Sequence, residues 1–413
     1  MNYKKLVPPE SFIGQYMEYM NNVETASSYD FWCALYAIGV SSGRTVYVNR
    51  PSAPVFLNWY IILAAESGIT RKSTAISSIK QLLIDTGHNT VSGKTSPEML
   101  ELMMSDMSKE TNSAQVNFTV SELVTILGKE GYMATMPGLL TDLYDSPAVR
   151  ISPGSLKSGR LEQHNVYINF LSASTPSWLV TAINPPVIEG GFTSRVAFIV
   201  DDTRKRSIAW PIPNDKESYQ ELLRKFKECC ERAKDIGAIN INGTARSKFI
   251  SWYNNRTSSN DAFLKSYESR EDDHVLRAAA CLAINDRTYE LQAKHIGTAC
   301  KLIADVKSRA SKLFGSGYDT TTRIGDSVGR VREILIEAGL DGIKHTTLYK
   351  RINHKMDSKE FTLLMSIMHE SDLIQVFQIE KGGKLYRATK NIESFGVLTE
   401  VLDKLTVGGS SRK

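Results

Sequence analysis

The run NWYIILAAE, residues 58–66, constrains the fold of this chain more than any other stretch. It is apolar and β-rich throughout, which suits a strand covered on both faces. The run stops at Glu66-Ser67-Gly68, and a helical pattern follows from Ser73 to about Thr86. A buried strand that passes through a glycine-containing turn into a helix is the local context a phosphate-binding loop requires. Further strands are expected at Val116 to Val120, Val166 to Leu171 and Arg195 to Val200, with helical segments between them. Strands alternating with helices predict an α/β sheet with helices on its faces.

The turn reads Glu66-Ser67-Gly68-Ile69-Thr70-Arg71-Lys72-Ser73-Thr74 and stands where a GxxxxGK[ST] loop would stand. In that pattern Lys72 reaches the β- and γ-phosphates and Ser73 sets its hydroxyl on Mg²⁺, while backbone N–H groups at the helix start cradle the anion. The residues expected around a nucleotide are Ser67, Gly68, Ile69, Thr70, Arg71, Lys72, Ser73 and Thr74. Both consensus glycines are missing, with Glu66 and Arg71 in their places and Gly68 inside the loop. An ordinary strand–turn–helix with a surface lysine is the other reading of the same residues.

Three more residues follow in an order suited to phosphoryl transfer. After Val116–Val120 comes Ser121-Glu122. A strand of this kind normally ends in two acids, one for the metal and one to polarise the attacking water. Here Ser121 replaces the first and Glu122 keeps the second, so the metal leans on Ser73, phosphates and water, which suits the strong hydration of Mg²⁺. Thr175, just before Pro176, is the candidate to orient water at the γ-phosphate, with Ser174 as the alternate. Arg195 lies past Gly190-Gly191 and directly before a strand, a position from which it would reach a neighbouring subunit and stabilise the transferring phosphoryl group. The competing readings are a solvated strand-end glutamate, a plain Ser/Thr turn, and an arginine that pairs with Asp201 or Asp202.

The remaining chain divides by pattern. Residues 10–40 read as helical, and the register changes at Arg44, where RTVYVN reads as a short strand. Charge and proline cluster from Asp201 to Pro213, a boundary signal. The expected organisation is an N-terminal helical segment (1–43), an α/β core (44–212), a helical domain (213–318) and a C-terminal domain (319–413). In the last, helices at 326–338, 346–353 and 358–371 precede two strands joined by Lys381-Gly382-Gly383-Lys384, the pattern of a winged helix. Lys350, Arg351 and Lys355 on its helices, with Lys381 and Lys384 at the wing tip, form a candidate phosphate-contacting surface. A protein-binding module is the alternative.

Taken together, NWYIILAAESGITRKSTA, VNFTVSEL, LTDLYDSP, NVYINFLSASTPSWL and GGFTSRVAFIV resemble the AAA+ P-loop ATPases, and most closely the MCM-like replicative helicases of phages and mobile genetic elements. The likeness is dense over about residues 30–210. It implies an AAA+ core with a helical lid and a C-terminal winged helix, ATP and Mg²⁺ as cofactors, and a homo-oligomeric ring, a hexamer. It also implies a helicase or translocase working on single- or double-stranded DNA in replication, beside other replication proteins. In such proteins the loop glycines drift while the lysine and serine stay, which accommodates Arg71-Lys72-Ser73. The resemblance assigns Arg150 to Gln163 to a hairpin that grips DNA, offering Arg150, Lys157 and Arg160. It also makes SREDDHVLRAAACLAI the helix that carries a second nucleotide-sensing arginine, Arg277, with Arg270 as the second choice. Other functions stay open: a non-hydrolytic replication initiator or DNA-binding scaffold with a decayed nucleotide site, or a motor acting on protein or in packaging.

Bulk properties narrow the field further. With 413 residues, 42% hydrophobic and 23% charged, the chain has material for an ordinary core split into several units. A net charge of +5 permits nucleic-acid binding without requiring it. Cys33, Cys229, Cys230, Cys281 and Cys300 have neither CxxC spacing nor regular histidine partners, which argues against structural zinc and a disulfide framework. No signal-peptide pattern or membrane-length apolar run is found. The expected location is the cytoplasm, that of the host if a phage encodes the chain.

Overall fold

The structure is a computed structural model that describes residues 1–127, 135–153, 159–183, 190–210, 215–259, 262–314, 322–352, 358–370, 372–379 and 383–389. It divides into two compact units, 1–315 and 316–413. The short strands β1 (Tyr47–Val48) and β2 (Val55–Phe56) lead into β3 (Tyr60–Ala64), the strand expected from the apolar run. With β4 (Gln115–Val120), β7 (Tyr167–Ser174) and β8 (Val196–Val200) it builds a parallel sheet in the order β4-β7-β3-β8. Between β4 and β7 the chain makes an antiparallel hairpin of β5 (Val149–Ser152) and β6 (Leu161–His164).

The period of two along each strand separates two cores. Ile61, Leu63, Leu171, Ala173, Ala197 and Ile199 point into one; Tyr60, Ile62, Phe118, Phe170, Val196 and Phe198 point into the other. The first core is covered by α1 (Phe12–Tyr19), α2 (Ser27–Ser42) and α3 (Lys72–Asp85), with the later helices Lys216–Ile236 and Glu271–Asn285. The second is covered by α4 (Pro97–Thr111), α5 (Met136–Tyr144) and α6 (Pro176–Ala182). Residues expected to fall in three segments up to 318 thus contribute to shared cores.

Local signals explain the helix ends. Ser11 caps α1, and Ser96 caps α4 with Pro97 at its first turn. The segment read as one helical stretch, 10–40, is two helices, because the chain turns extended at Val23 and Ala26. Two short strands lie in a region read as purely helical: β9 (Ala238–Ile241) and β10 (Glu290–Leu291). They complete a second sheet, β10-β9-β1-β2, and are too brief to carry a readable alternation beside long amphipathic helices.

Helix α2 is buried along nearly its whole length, as expected of a helix apolar on every face. Its one ionisable acid, Asp30, is fully buried against Lys205 and accepts a hydrogen bond from Thr25 Oγ1 at 2.7 Å. Burial pushes the Asp30 carboxyl up to about 6 against the opposing pull of Lys205. Gly39 is where α2 crosses the sheet. A Cβ there would meet Leu57 O at 2.6 Å and the Trp59 ring at 3.0 Å. The five cysteines are free thiols, and among the described residues no helix is long and apolar enough to cross a membrane.

The second unit holds helices Thr322–Ala338, His345–Ile352 and Ser358–Glu370. Its sheet has the order β11-β13-β12, formed by β11 (Ile343–Lys344), β12 (Ile374–Ile379) and β13 (Gly383–Ala388). Its own core includes Val331, Leu335, Leu348, Ile352, Phe361, Leu364 and Tyr386.

Gly39→Ala is expected to destabilise the first unit by about 1–3 kcal/mol, because backbone and an indole would have to move. Gly138→Ala is the control: a Cβ at this exposed helical position meets nothing within 4 Å, and the change should be neutral or stabilising. Denaturant midpoints measured side by side check the contrast.

Candidate functional site

The order β4-β7-β3-β8 sends the connection leaving β3 one way along the sheet and the connection leaving β7 the other. The crevice between their carboxyl ends is a topological switch point, where open parallel sheets bind ligands. The loop Glu66–Arg71 leaves β3 there and enters α3 at Lys72. In register, Ala64 lies beside Ser174 and Val120 beside Ser172, so Glu122 extends to the level of Ser174. The sheet therefore delivers Lys72, Glu122, Ser174 and Thr175 to one edge.

Residues 66–68 are exposed, as are Arg71, Ser73 and Thr74, whereas Ile69 and Lys72 are half-buried. Thr70 faces inward, its hydroxyl 3.4 Å from Tyr29 Oη. The phenol accepts there, and its single proton is shared between Ala64 O and Asp201 O, each at 2.8 Å, which ties the carboxyl ends of β3 and β8 together. Helix α3 begins without a side-chain cap. The positive end of its dipole faces the loop, which favours an anion there. The Lys72 ammonium donates to Ala65 O at 2.6 Å and Glu66 O at 3.1 Å. Partial burial draws its pKa below the usual lysine value, opposed by the charges of Glu122 and Glu66. Glu122 is exposed.

Arg71 occupies the position of the second consensus glycine and adopts the left-handed conformation, φ 50° and ψ 43°. The loop thus keeps the backbone turn a glycine would supply, in a residue that adopts it at a cost. Its guanidinium is held by Glu24, with Nε at 3.2 Å and Nη2 at 3.1 Å. Glu24 also accepts from Ile208 N at 2.9 Å and Arg204 at 3.4 Å, which links the N-terminal segment to the loop after β3. The sequence reading did not find Glu24, since nothing local marks a contact across 47 positions. Thr175 caps α6, accepting from Trp178 N at 3.4 Å, which fixes its hydroxyl beside the end of β7.

Arg195 lies at the opposite edge of the sheet. It precedes Val196, which pairs with Tyr60, whereas the loop leaves after Ala64, the partner of Val200. Five residues of strand separate the two, about 17 Å. Arg195 donates to Gly191 O at 2.9 Å and pairs with Asp145 at 3.4 Å. Asp201, one of the partners weighed from sequence, is instead engaged by Ser28 at 2.7 Å and Arg309 at 3.4 Å. Gly191, at φ 76°, makes room for this fold-back, since a Cβ there would lie 2.9 Å from Arg195 Nη1.

Arg270 joins the same carboxylate, 2.7 and 3.1 Å from the two oxygens of Asp145. Burial pushes the Asp145 carboxyl up, but the pull of Arg270, Arg195 and Arg277 leaves it below the usual carboxylate range. Arg277, the preferred of the two sensing candidates, is only 3% exposed. It donates to Phe56 O at 2.8 Å and Tyr144 Oη at 2.6 Å, so it is enclosed in the core and is not at the edge that carries Lys72. Asp145 and Tyr144 belong to the LTDLYDSP stretch, yet only the structure brings them to these arginines.

His274 anchors this edge. It is stacked between Trp59 and Tyr267, at 5.8 and 5.4 Å, and its Nε2 is 2.9 Å from Ser194 O. A carbonyl only accepts, so Nε2 carries the proton. Burial, with the nearby Arg277 charge, lowers the ring's pKa to about 4. The folded state thus disfavours the imidazolium, so its contribution is complete above the unfolded value near 6.5 and is lost as pH falls toward 4.

The candidate DNA-contacting residues are dispersed. Arg150 is fastened to Glu101 at 2.7 Å and to Gln163 at 3.1 Å, and it secures the hairpin base against α4. Arg160 is exposed and pairs with Glu162 at 3.1 Å. Lys350 and Arg351 are exposed on helix His345–Ile352, and Lys384 is exposed on β13. Lys157, Lys355 and Lys381 lie outside the described residues.

No family model matches this sequence, and no curated protein does. Among solved structures the chain is similar to a full-length MCM homolog from Methanopyrus kandleri, at 13% identity and a TM-score of 0.42. The match covers 72% of this chain and 59% of that one, so the chain spans about three fifths of its length.

Arg71→Gly and Arg71→Ala both lose the Glu24 pair, but only alanine keeps the left-handed cost, so Arg71→Ala should be less stable by about 1 kcal/mol in denaturant unfolding. Between pH 6.5 and 4 the unfolding free energy should fall with acidification, and His274→Phe should reduce that slope by about one proton. The slope, not the absolute stability, is the readout.

Proposed function

We propose that this chain binds and hydrolyses ATP as a P-loop motor of the AAA+ type, resembling MCM-like helicases, and acts on DNA as a ring of identical subunits. The observation that carries the reading is the meeting of Lys72, Glu122 and Thr175 at the switch-point edge, beside an uncapped helix start. In this arrangement the loop amides and Lys72 hold the β- and γ-phosphates. Glu122 orients a water and withdraws its proton as the oxygen attacks the terminal phosphorus. Thr175 fixes that water's position. The bond to the bridging oxygen breaks, and ADP and inorganic phosphate leave. Ser73 is the residue to hold Mg²⁺, which would neutralise charge between the phosphates, and Ser121 would reach it through water.

Arg195 is a strand's length from Lys72 within one subunit, and it therefore serves the nucleotide of a neighbour. The Asp145 carboxylate holds Arg195 and Arg270 together at that edge in the free subunit. The organisation proposed is an N-terminal helical segment (1–43), a motor core (44–212), a helical lid (213–318) and a winged helix (319–413). In the winged helix, Lys350, Arg351 and Lys384 offer charge to DNA phosphates. A cytoplasmic replication role in a phage or mobile element belongs to the same reading. A non-hydrolytic initiator is the second reading, favoured by Ser121 in place of a metal-binding acid.

Lys72→Ala should abolish nucleotide binding, whereas Arg195→Ala should retain binding and lose about 10³-fold or more in turnover. Mixing the two variants should restore part of the activity, because each supplies the half-site the other lacks. DNA-stimulated ATP hydrolysis measured on the single and mixed proteins is the check, and unchanged activity in both variants would remove the reading.

A further inference from the structure

We propose that helix Gly243–Asn254 and the turn that follows form a platform for single-stranded nucleic acid. This helix follows β9 and is capped by Asn242, whose side chain accepts from Ala245 N at 2.9 Å. Of its twelve residues only Ala245 is buried. Yet it carries Phe249, Ile250, Trp252 and Tyr253, with Ile250 47% and Tyr253 43% exposed. Phe249 and Trp252 are half-buried against the first core, so they hold in place the ring of Tyr253, which with Ile250 is presented to solvent.

The rings form a cluster. Phe249 lies 5.6 Å from Trp252 and 6.3 Å from Tyr253, centroid to centroid. The Arg256 guanidinium stands 3.9 Å over the Tyr253 ring and 5.2 Å from that of Trp252. Its Nη1 donates to Glu268 O at 3.3 Å, which holds the arginine in that pose.

The surrounding charge identifies the occupant. Residues 242–259 contain Arg246, Lys248 and Arg256 and no acid. Lys248 extends across Gly297 of helix Ala293–Phe314, where any side chain would displace it, and Lys301 is exposed one turn further along that helix. Beside the turn, Glu268 is matched by Lys307 at 2.8 Å and by Ser259 N at 3.0 Å, and the acid at the start of the helix, Glu290, accepts from the cap residue Asn242 at 3.4 Å, away from Lys248 and Arg256 along the chain. Aromatic rings interleaved with unopposed cations suit a ligand with flat faces on an anionic chain, which describes unpaired nucleotides. A duplex hides those faces in its own stack and offers the rings nothing.

This inference deepens the nucleic-acid part of the reading above and is independent of ATP hydrolysis. It is tested by binding a fluorescent oligothymidylate to the full chain without nucleotide. Tyr253→Ala should weaken binding by about fivefold to a hundredfold, and Tyr253→Phe should restore it to within about twofold. Lys248→Gln should lower the slope of log affinity against log salt by about 0.7. Duplex binding should be unaffected by all three. If the unaltered chain binds the strand and Tyr253→Ala binds within about twofold of it, the platform is overturned while the motor reading stands. If Tyr253→Ala changes the assembly's mass in light scattering and leaves strand binding intact, the face joins copies of the chain and the proposal is likewise overturned. If the unaltered chain binds no strand at all, the platform is overturned, and the DNA role is judged by the duplex measurement and ATP hydrolysis separately.

Discussion

Everything else in the first unit is arranged around the enclosure of β3. Its five residues are fully buried, with β7 on one side, β8 on the other and a separate hydrophobic core against each face. A strand so enclosed meets solvent only at its ends, so chemistry has two places to gather. The carboxyl end releases the loop that leads to Lys72, and the amino end is occupied by Arg195, Asp145 and Arg270. Tyr29 pins the first end, and His274 braces the second.

The register that aligns these ends is fixed from within. Asn169 accepts from Trp59 N and donates to Asn117, both at 3.0 Å, and Asn117 donates to Asn89 O at 3.1 Å. A buried asparagine left without partners would be costly, so a slip of one residue between β3, β7 and β4 is opposed by this chain of bonds as well as by the exchange of faces. The same register brings Glu122 level with Ser174. Sheet order, register and site are therefore one problem with one solution.

Much of this was legible in the sequence, for reasons that can be named. The central parallel strands are short runs rich in buried apolar residues, and Lys72 and Ser73 follow the loop after β3 at the spacing of a phosphate-loop pattern, so strand, turn and helix were read close to their observed bounds. Contacts that join distant positions were not legible. The partners of Arg195 and Arg270 meet at Asp145, more than a hundred residues before Arg270, and nothing local to either arginine announces it. Arg277 shows the converse limit: an arginine on an apolar helix looks like a reaching cation until the fold encloses it beneath Tyr144. The short strands β9 and β10 carry too few residues for periodicity to register.

The Asp30–Lys205 pair has a bearing on where this protein can be cut. Asp30 sits on the second helix from the N-terminus, while Lys205 follows the last strand of the central sheet, and Lys205 also donates to Met20 O at 2.9 Å. A shortened chain starting after residue 43 would strand an enclosed ammonium without its counter-ion, free Arg71 from Glu24 and bare the sheet face that holds Ile61 and Leu63. The opening forty residues are thus an integral wall of the first unit rather than a detachable preface to it.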